Sequence, residues 1–140
     1  RYKVDGRPVA INDIHVPLFA IATTSDHVAP WQSVYKINLL AKSQEVTFLL
    51  TTGGHNAGIV SEPGHPRRSY QVATRECDQP YIDPDTWQTK VEHHEGSWWP
   101  AWDAWLNRHS SGRLAPPQMG SPAAGYPPLE EAPGTYIFQA

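Results

Sequence analysis

Two short apolar runs constrain this chain most, because neither alternates and each runs straight into a polar loop. Pro17 to Ala22 reads Pro-Leu-Phe-Ala-Ile-Ala and is followed at once by Thr23, Thr24, Ser25, Asp26 and His27. Glu45 to Leu50 repeats the pattern with Val46, Phe48, Leu49 and Leu50, and Thr51-Thr52-Gly53-Gly54-His55 follows. An apolar run without alternation belongs to a strand buried on both faces, as in a parallel sheet. Between the two, Pro30 opens a stretch in which Trp31, Val34, Ile37 and Ala41 recur every three or four positions, which predicts one helix. Strand, loop, helix, strand, loop is an α/β signature. Chemistry in such sheets gathers beyond the carboxyl ends of the strands, where Asp26 and His55 both fall.

The rest of the chain is less regular. Tyr2 to Val4, the dipeptide Asp5-Gly6, and Val9 to Ile11 predict an N-terminal hairpin. Residues 61–85 are broken by Pro63, Gly64, Pro66, Pro80 and Pro84 and read as irregular. A short helix is expected from Asp85 to Glu92. A second is expected after Ser97 as its cap, with Pro100 in its first turn and Gly112 as its end. Trp98, Trp102, Trp105 and His109 share one face of it. Residues 113–140 form a Pro/Gly-rich tail, with Tyr136 to Phe138 as a terminal strand or anchor. The expected division is therefore 1–112 and 113–140.

Composition removes several function classes. With 140 residues, a net charge of −3 and no basic stripe, nucleic acid is a poor partner. No run of about twenty apolar residues exists to cross a bilayer. The single Cys excludes an internal disulfide framework and fits a reducing, cytoplasmic compartment. A start at Arg-Tyr-Lys-Val reads as a fragment or a separate domain.

A carboxylate after one strand and an imidazole after the next make an acid–base pair. The carboxylate orients the ring and stabilises its charged form, and the ring takes a proton from a nucleophile. Acid before base is the chain order of α/β-hydrolase folds. Asp26 and His55 are 29 residues apart, room for a helix and a strand. Taken alone, the residues leave open whether Asp26 serves a proton relay or simply turns the chain ahead of the helix. His27, Asn56 and Trp31 flank the pair as candidates to line the site.

Four motifs narrow this further. Ser25-Asp26-His27-Val28-Ala29-Pro30-Trp31 resembles the Asp-His-x-x-Pro-Trp stretch of the polyhydroxyalkanoate synthases. Gly54-His55-Asn56-Ala57-Gly58 resembles their Gly-His-x-Ala-Gly stretch. Gly96-Ser97-Trp98-Trp99-Pro100 is similar to their Gly-Ser-Trp-Trp-Pro signature, and Ala132-Pro133-Gly134-Thr135-Tyr136 to their chain ending. The resemblance implies the C-terminal part of an α/β-hydrolase-type acyltransferase with a mainly parallel sheet. It implies Asp26 as triad acid and His55 as general base, acting on hydroxyacyl-CoA and a growing polyester with no metal or cofactor. The family's nucleophile, a Cys on a Gly-x-Cys-x-Gly elbow, has no counterpart here, so the chain alone is expected to be inactive. Homo-oligomerisation and attachment to polymer granules are also implied. Asn56, where the family commonly has an apolar residue, and Ser61-Glu62-Pro63-Gly64-His65-Pro66, in place of Asn-Pro-Pro, depart from the pattern.

Other residues weigh less. Cys77 has no elbow glycines, no apparent preceding strand and follows the base, so it reads as a loop thiol. His93 and His94 are adjacent, their side chains diverge, and no third ligand stands at zinc spacing. The tryptophan stripe reads as core before it reads as an acyl channel. Arg67-Arg68 reads as a solvated turn, with a CoA phosphate as the sharper alternative. A sheet lacking its other strands exposes a pairing edge, so self-association, or a tail folded over that edge, is expected. Two further readings stay open: a non-catalytic assembly module, and a hydrolase or depolymerase using the same pair with a Ser.

Overall fold

The computed structural model describes residues 2–139. It divides into two units, one reaching to Ser110 and one starting at Ser111.

The first unit is built on a four-stranded sheet in the order β3-β4-β5-β6. Its strands are Leu18–Thr23 (β3), Glu45–Thr51 (β4), Ser69–Glu76 (β5) and His93–Glu95 (β6). The two apolar runs pair in parallel, with Leu18 opposite Val46 and Thr23 opposite Thr51. A small hairpin precedes them, β1 (Lys3–Val4) against β2 (Arg7–Pro8). The returning strand is thus Arg7–Pro8, and Ile11–Asp13 forms a 3-10 turn instead of continuing it.

Within this chain the sheet is mixed, because β5 and β6 both run antiparallel to their neighbours. β5 lies inside the stretch expected to be irregular. Its alternation is hidden by polar residues on its buried face. Gln71 is only 2 % exposed, and its amide donates to the carbonyls of Gln88 and Val91, both at 2.7 Å. A buried amide with both donors matched is tolerated inside a fold, but it breaks the apolar pattern by which a strand is read.

The helix expected between the parallel strands is two short ones, Trp31–Tyr35 (α1) and Ile37–Leu40 (α2). The break is chemical. The Asn38 side chain donates to the carbonyl of Tyr35, and the Leu39 amide turns to Lys36 instead. Asn competes in this way with the backbone for its own carbonyls. The third helix, Pro84–Lys90 (α3), starts on Asp83, whose carboxylate accepts from the Thr86 amide. The fourth, Trp99–Arg108 (α4), stops well short of Gly112, and His109 is its last capping residue.

Strand alternation gives the sheet two faces. Ala20, Ala22, Phe48, Leu50 and Ala73 point to one, where α1 and α3 cover them. Tyr35 meets Phe48 edge-on at 4.9 Å, and Phe48 meets Trp87 at 5.1 Å. Burying a Phe completely contributes roughly 1.5–3 kcal/mol, so this aromatic cluster anchors both helices. Burial also pushes the Tyr35 phenol up to about 12, and its hydroxyl donates to the Ile82 carbonyl. The opposite face is covered by α4, whose Trp105 meets Phe19 edge-on at 5.5 Å. Of the tryptophan stripe, Trp98 is buried and Trp102 is exposed.

Among its described residues the second unit has no strand of the sheet. It contains 3-10 turns at Pro122–Ala124 and Tyr136–Phe138. Between Ser121 and Tyr126 it closes a bridged loop. Tyr136 to Phe138 is therefore a turn and not a terminal strand.

Candidate active site

The parallel ladder of β3 and β4 does not end with the strands. The Thr24 amide donates to the Thr51 carbonyl, and the Ser25 amide to the Gly53 carbonyl. These two bonds carry the register into both loops and place residue 26 beside residue 55.

Asp26 is held first by its own neighbours. Its Oδ1 accepts from the amides of Val28 and Ala29 at 2.8 and 2.9 Å. Its Oδ2 lies 2.8 Å from His55 Nδ1. The Ala29 amide and then the His55 ring lower the carboxyl to about 2, because hydrogen bonds to the charged form favour it. The carboxylate is 9 % exposed and the imidazole 51 % exposed. One ring nitrogen is thus engaged by an ionised carboxylate. The other, Nε2, makes no hydrogen bond to another described residue, on a ring that is half exposed.

The loop carrying His55 is a single helical turn. The Gly58 amide donates to the Gly54 carbonyl and the Val60 amide to that of Asn56. Two glycines make the turn fit. Gly53 has φ +115, and a Cβ there would lie 2.7 Å from Gly58 Cα. A Cβ on Gly58 would lie 2.5 Å from Thr23 Cγ2 and 2.9 Å from the Thr52 carbonyl. Only hydrogen at both positions lets loop and strand approach this closely. Gly54 has no such need, since its Cβ would meet only the Ser25 carbonyl at 3.9 Å.

Asp26 and His55 are therefore brought together. His27 and Asn56 lie exposed beside them. Trp31 is turned inward and packs near Tyr35 and Phe48. Cys77 does follow a strand, contrary to its reading as a thiol with none before it. β5 runs antiparallel, however, and the Cys77 amide bonds the Gln44 carbonyl at the amino end of β4. That is a strand length, roughly 20 Å, from the Asp–His pair. A cavity of about 310 Å³ lined by Tyr35, Phe48, Arg75 and Trp87 likewise includes neither Asp26 nor His55.

Arg68 was legible as half of a solvated basic pair, or of one that meets a CoA phosphate. Its Nη2 in fact donates to the Ala57 carbonyl at 2.7 Å, two residues beyond the imidazole. No sequence signal announces a side chain whose partner is a backbone carbonyl. Trp98 and Trp99 did carry a signal, because an indole N–H removed from water needs an acceptor. Theirs are the carbonyls of Gly58 and Ile59, each at 3.0 Å.

No helix among the described residues is long and apolar enough to cross a membrane. No family model matches the chain. Curated relatives do, across almost all of it. Poly(3-hydroxyalkanoate) polymerase 2 of Ectopseudomonas oleovorans is 36% identical over 136 residues, 97% of this chain and 23% of the relative. Poly(3-hydroxyalkanoate) polymerase subunit PhaC of Rhizobium meliloti is 37% identical over 132 residues, 94% of this chain and 20% of the relative. The subunit of that name from Cupriavidus necator is 34% identical over 138 residues, 98% and 22%. The chain spans only about a fifth of the length of these relatives. Within that span, the chain belongs to the poly(3-hydroxyalkanoate) polymerase family.

Proposed function

We propose that this chain is the proton-handling, C-terminal part of a polyhydroxyalkanoate synthase, with Asp26 as the triad acid and His55 as the general base. The observation that carries the reading is the 2.8 Å contact between Asp26 Oδ2 and His55 Nδ1, with the imidazole half open to its surroundings. The carboxylate stays ionised, fixes the tautomer and stabilises the imidazolium that forms.

The chemistry runs in two halves. His55 takes the proton of a cysteine thiol supplied from elsewhere in the longer polypeptide. The thiolate attacks the thioester of a 3-hydroxyacyl-CoA, the acyl–sulfur bond to CoA breaks, and the CoA thiolate leaves with the proton. The hydroxyl end of the growing polyester then attacks the acyl-enzyme. His55 takes that hydroxyl proton and returns it to the cysteine sulfur as the new ester forms. Side chains and the CoA thioester suffice, with no metal. The outer edge of β3, apolar and unpaired among the described residues, supports a sheet of the α/β-hydrolase kind that continues into the longer polypeptide. The same reading carries self-association and attachment to the polymer surface in the cytoplasm. The chain alone, without an elbow Cys, is proposed to release no CoA.

The test is CoA release from a 3-hydroxyacyl-CoA by the polymerase that carries this chain. His55→Ala is expected to abolish it, and Asp26→Asn to lower it about a thousandfold or more. Near-normal turnover in either variant would overturn the assignment.

A further inference from the structure

The turn from Gly54 to Val60 is too short to persist by itself, since one helical turn fixes many dihedrals for few hydrogen bonds. Its last carbonyls, like those of any helix end, have no partner within the turn. Here three of them, and the Ser61 carbonyl just beyond, are met by side chains from outside it. Arg68 Nη2 donates to Ala57 O at 2.7 Å. Trp98 Nε1 donates to Gly58 O and Trp99 Nε1 to Ile59 O, both at 3.0 Å. Ser97 Oγ donates to Ser61 O. Four carbonyls in a span of five residues are thus held by two elements remote in sequence. One is the residue before β5, and the other is the entry into α4. None of these side chains hydrogen-bonds Asp26 or His55 directly.

We infer that Arg68, Trp98 and Trp99 are positioning residues for His55: by capping the carbonyls of Ala57, Gly58 and Ile59 they hold the turn that aims the imidazole at Asp26. The inference rests on the reading of His55 as the base, but it does not depend on the nucleophile or the acyl group. It also gives the adjacent tryptophans of Gly96-Ser97-Trp98-Trp99-Pro100 a chemical reason. Two indole N–H groups on successive residues reach two successive carbonyls.

The test uses the polypeptide that carries this chain at its natural length. Trp99→Phe keeps a ring and removes the donor; Arg68→Gln shortens the reach and removes the charge. The first readout is the far-downfield proton resonance of His55 Nδ1 in its bond to Asp26, identified by its loss in His55→Ala. Both variants are expected to broaden or erase it. The second readout is turnover, with kcat expected to fall about tenfold or more and KM to stay within about twofold, as for a misplaced catalytic group. Trp105→Phe is the control. It removes an indole bond from the same helix, to Glu45, and is expected to leave the resonance unchanged. Wild-type resonance and kcat in both Trp99→Phe and Arg68→Gln would overturn the inference. So would equal loss in Trp105→Phe, which would mark a general loosening of α4. Should one test variant fail to fold, the other decides. Intact turnover in His55→Ala would instead remove the catalytic reading, while the resonance still reports whether the turn is held.

Discussion

The loop bearing Asp26 and the loop bearing His55 leave neighbouring strand tips, yet they are held in opposite ways. Asp26 is fixed by amides two and three residues ahead of it. The turn bearing His55 is fixed by donors 11, 40 and 36 positions away, on Arg68, Trp98, Trp99 and Ser97. Asp26 is placed by its own local turn, whereas His55 is placed by the tertiary fold. A local Asx-type turn survives many changes elsewhere. A loop held from a distance fails whenever the elements holding it shift.

That contrast is broken most severely at Gly53. Gly53→Ala combines a strained left-handed backbone with a Cβ pressed on Gly58, and is expected to cost about 3 kcal/mol in denaturant unfolding. A loss below about 1 kcal/mol would mean that the loop relaxes freely and is not close-packed. Ser97→Ala sharpens the contrast more gently. It removes the bond to the Ser61 carbonyl and the acceptor for the Trp99 amide, at a cost of about 1 kcal/mol. A heteronuclear NMR map should confine its shifts to residues 57–61 and the start of α4. Changes reaching the Asp26 turn would contradict separate holding.

Asp26→Asn keeps an oxygen that accepts from Val28 and Ala29 but removes the charge that those amides and His55 favour, so a modest loss of neutral stability is expected, below that of Gly53→Ala. Its signature is in acid. The Asp26 carboxyl binds its proton less readily in the folded state, its pKa being lowered from 3.8 to about 2. The fold gains from this above 3.8 and loses the gain as pH falls toward about 2. Wild type should therefore lose stability across that window more steeply than Asp26→Asn, by denaturant titration at successive pH values. Parallel acid curves would show that Asp26 is not held as an ionised acceptor.

The same division separates what was legible in the residues from what was not. The parallel strands were readable because Leu18–Ala22 is wholly apolar and Val46, Phe48, Leu49 and Leu50 recur without strict alternation. The hairpin was readable from Asp5-Gly6, though its return strand was not. β5 was unreadable because Gln71 stands where an apolar residue would complete the alternation, and its partners Gln88 and Val91 lie on or just after α3. The break at Lys36 depends on a side chain folding back on its own helix, which periodicity does not register. Arg68 looked like half of a solvated pair because its acceptor is a carbonyl with no side-chain identity.

By itself, then, the amino-acid order determined the two strands, the loops that follow them and the presence of a carboxylate and an imidazole there, since these depend on local propensity and periodic burial. Only the tertiary structure decided that β3 and β4 extend their ladder into those loops, that β5 and β6 add antiparallel strands, and that Arg68, Ser97, Trp98 and Trp99 close on the turn of His55. Such contacts join atoms far apart in the chain. Their free energy appears only once packing has brought the donors within reach of the carbonyls.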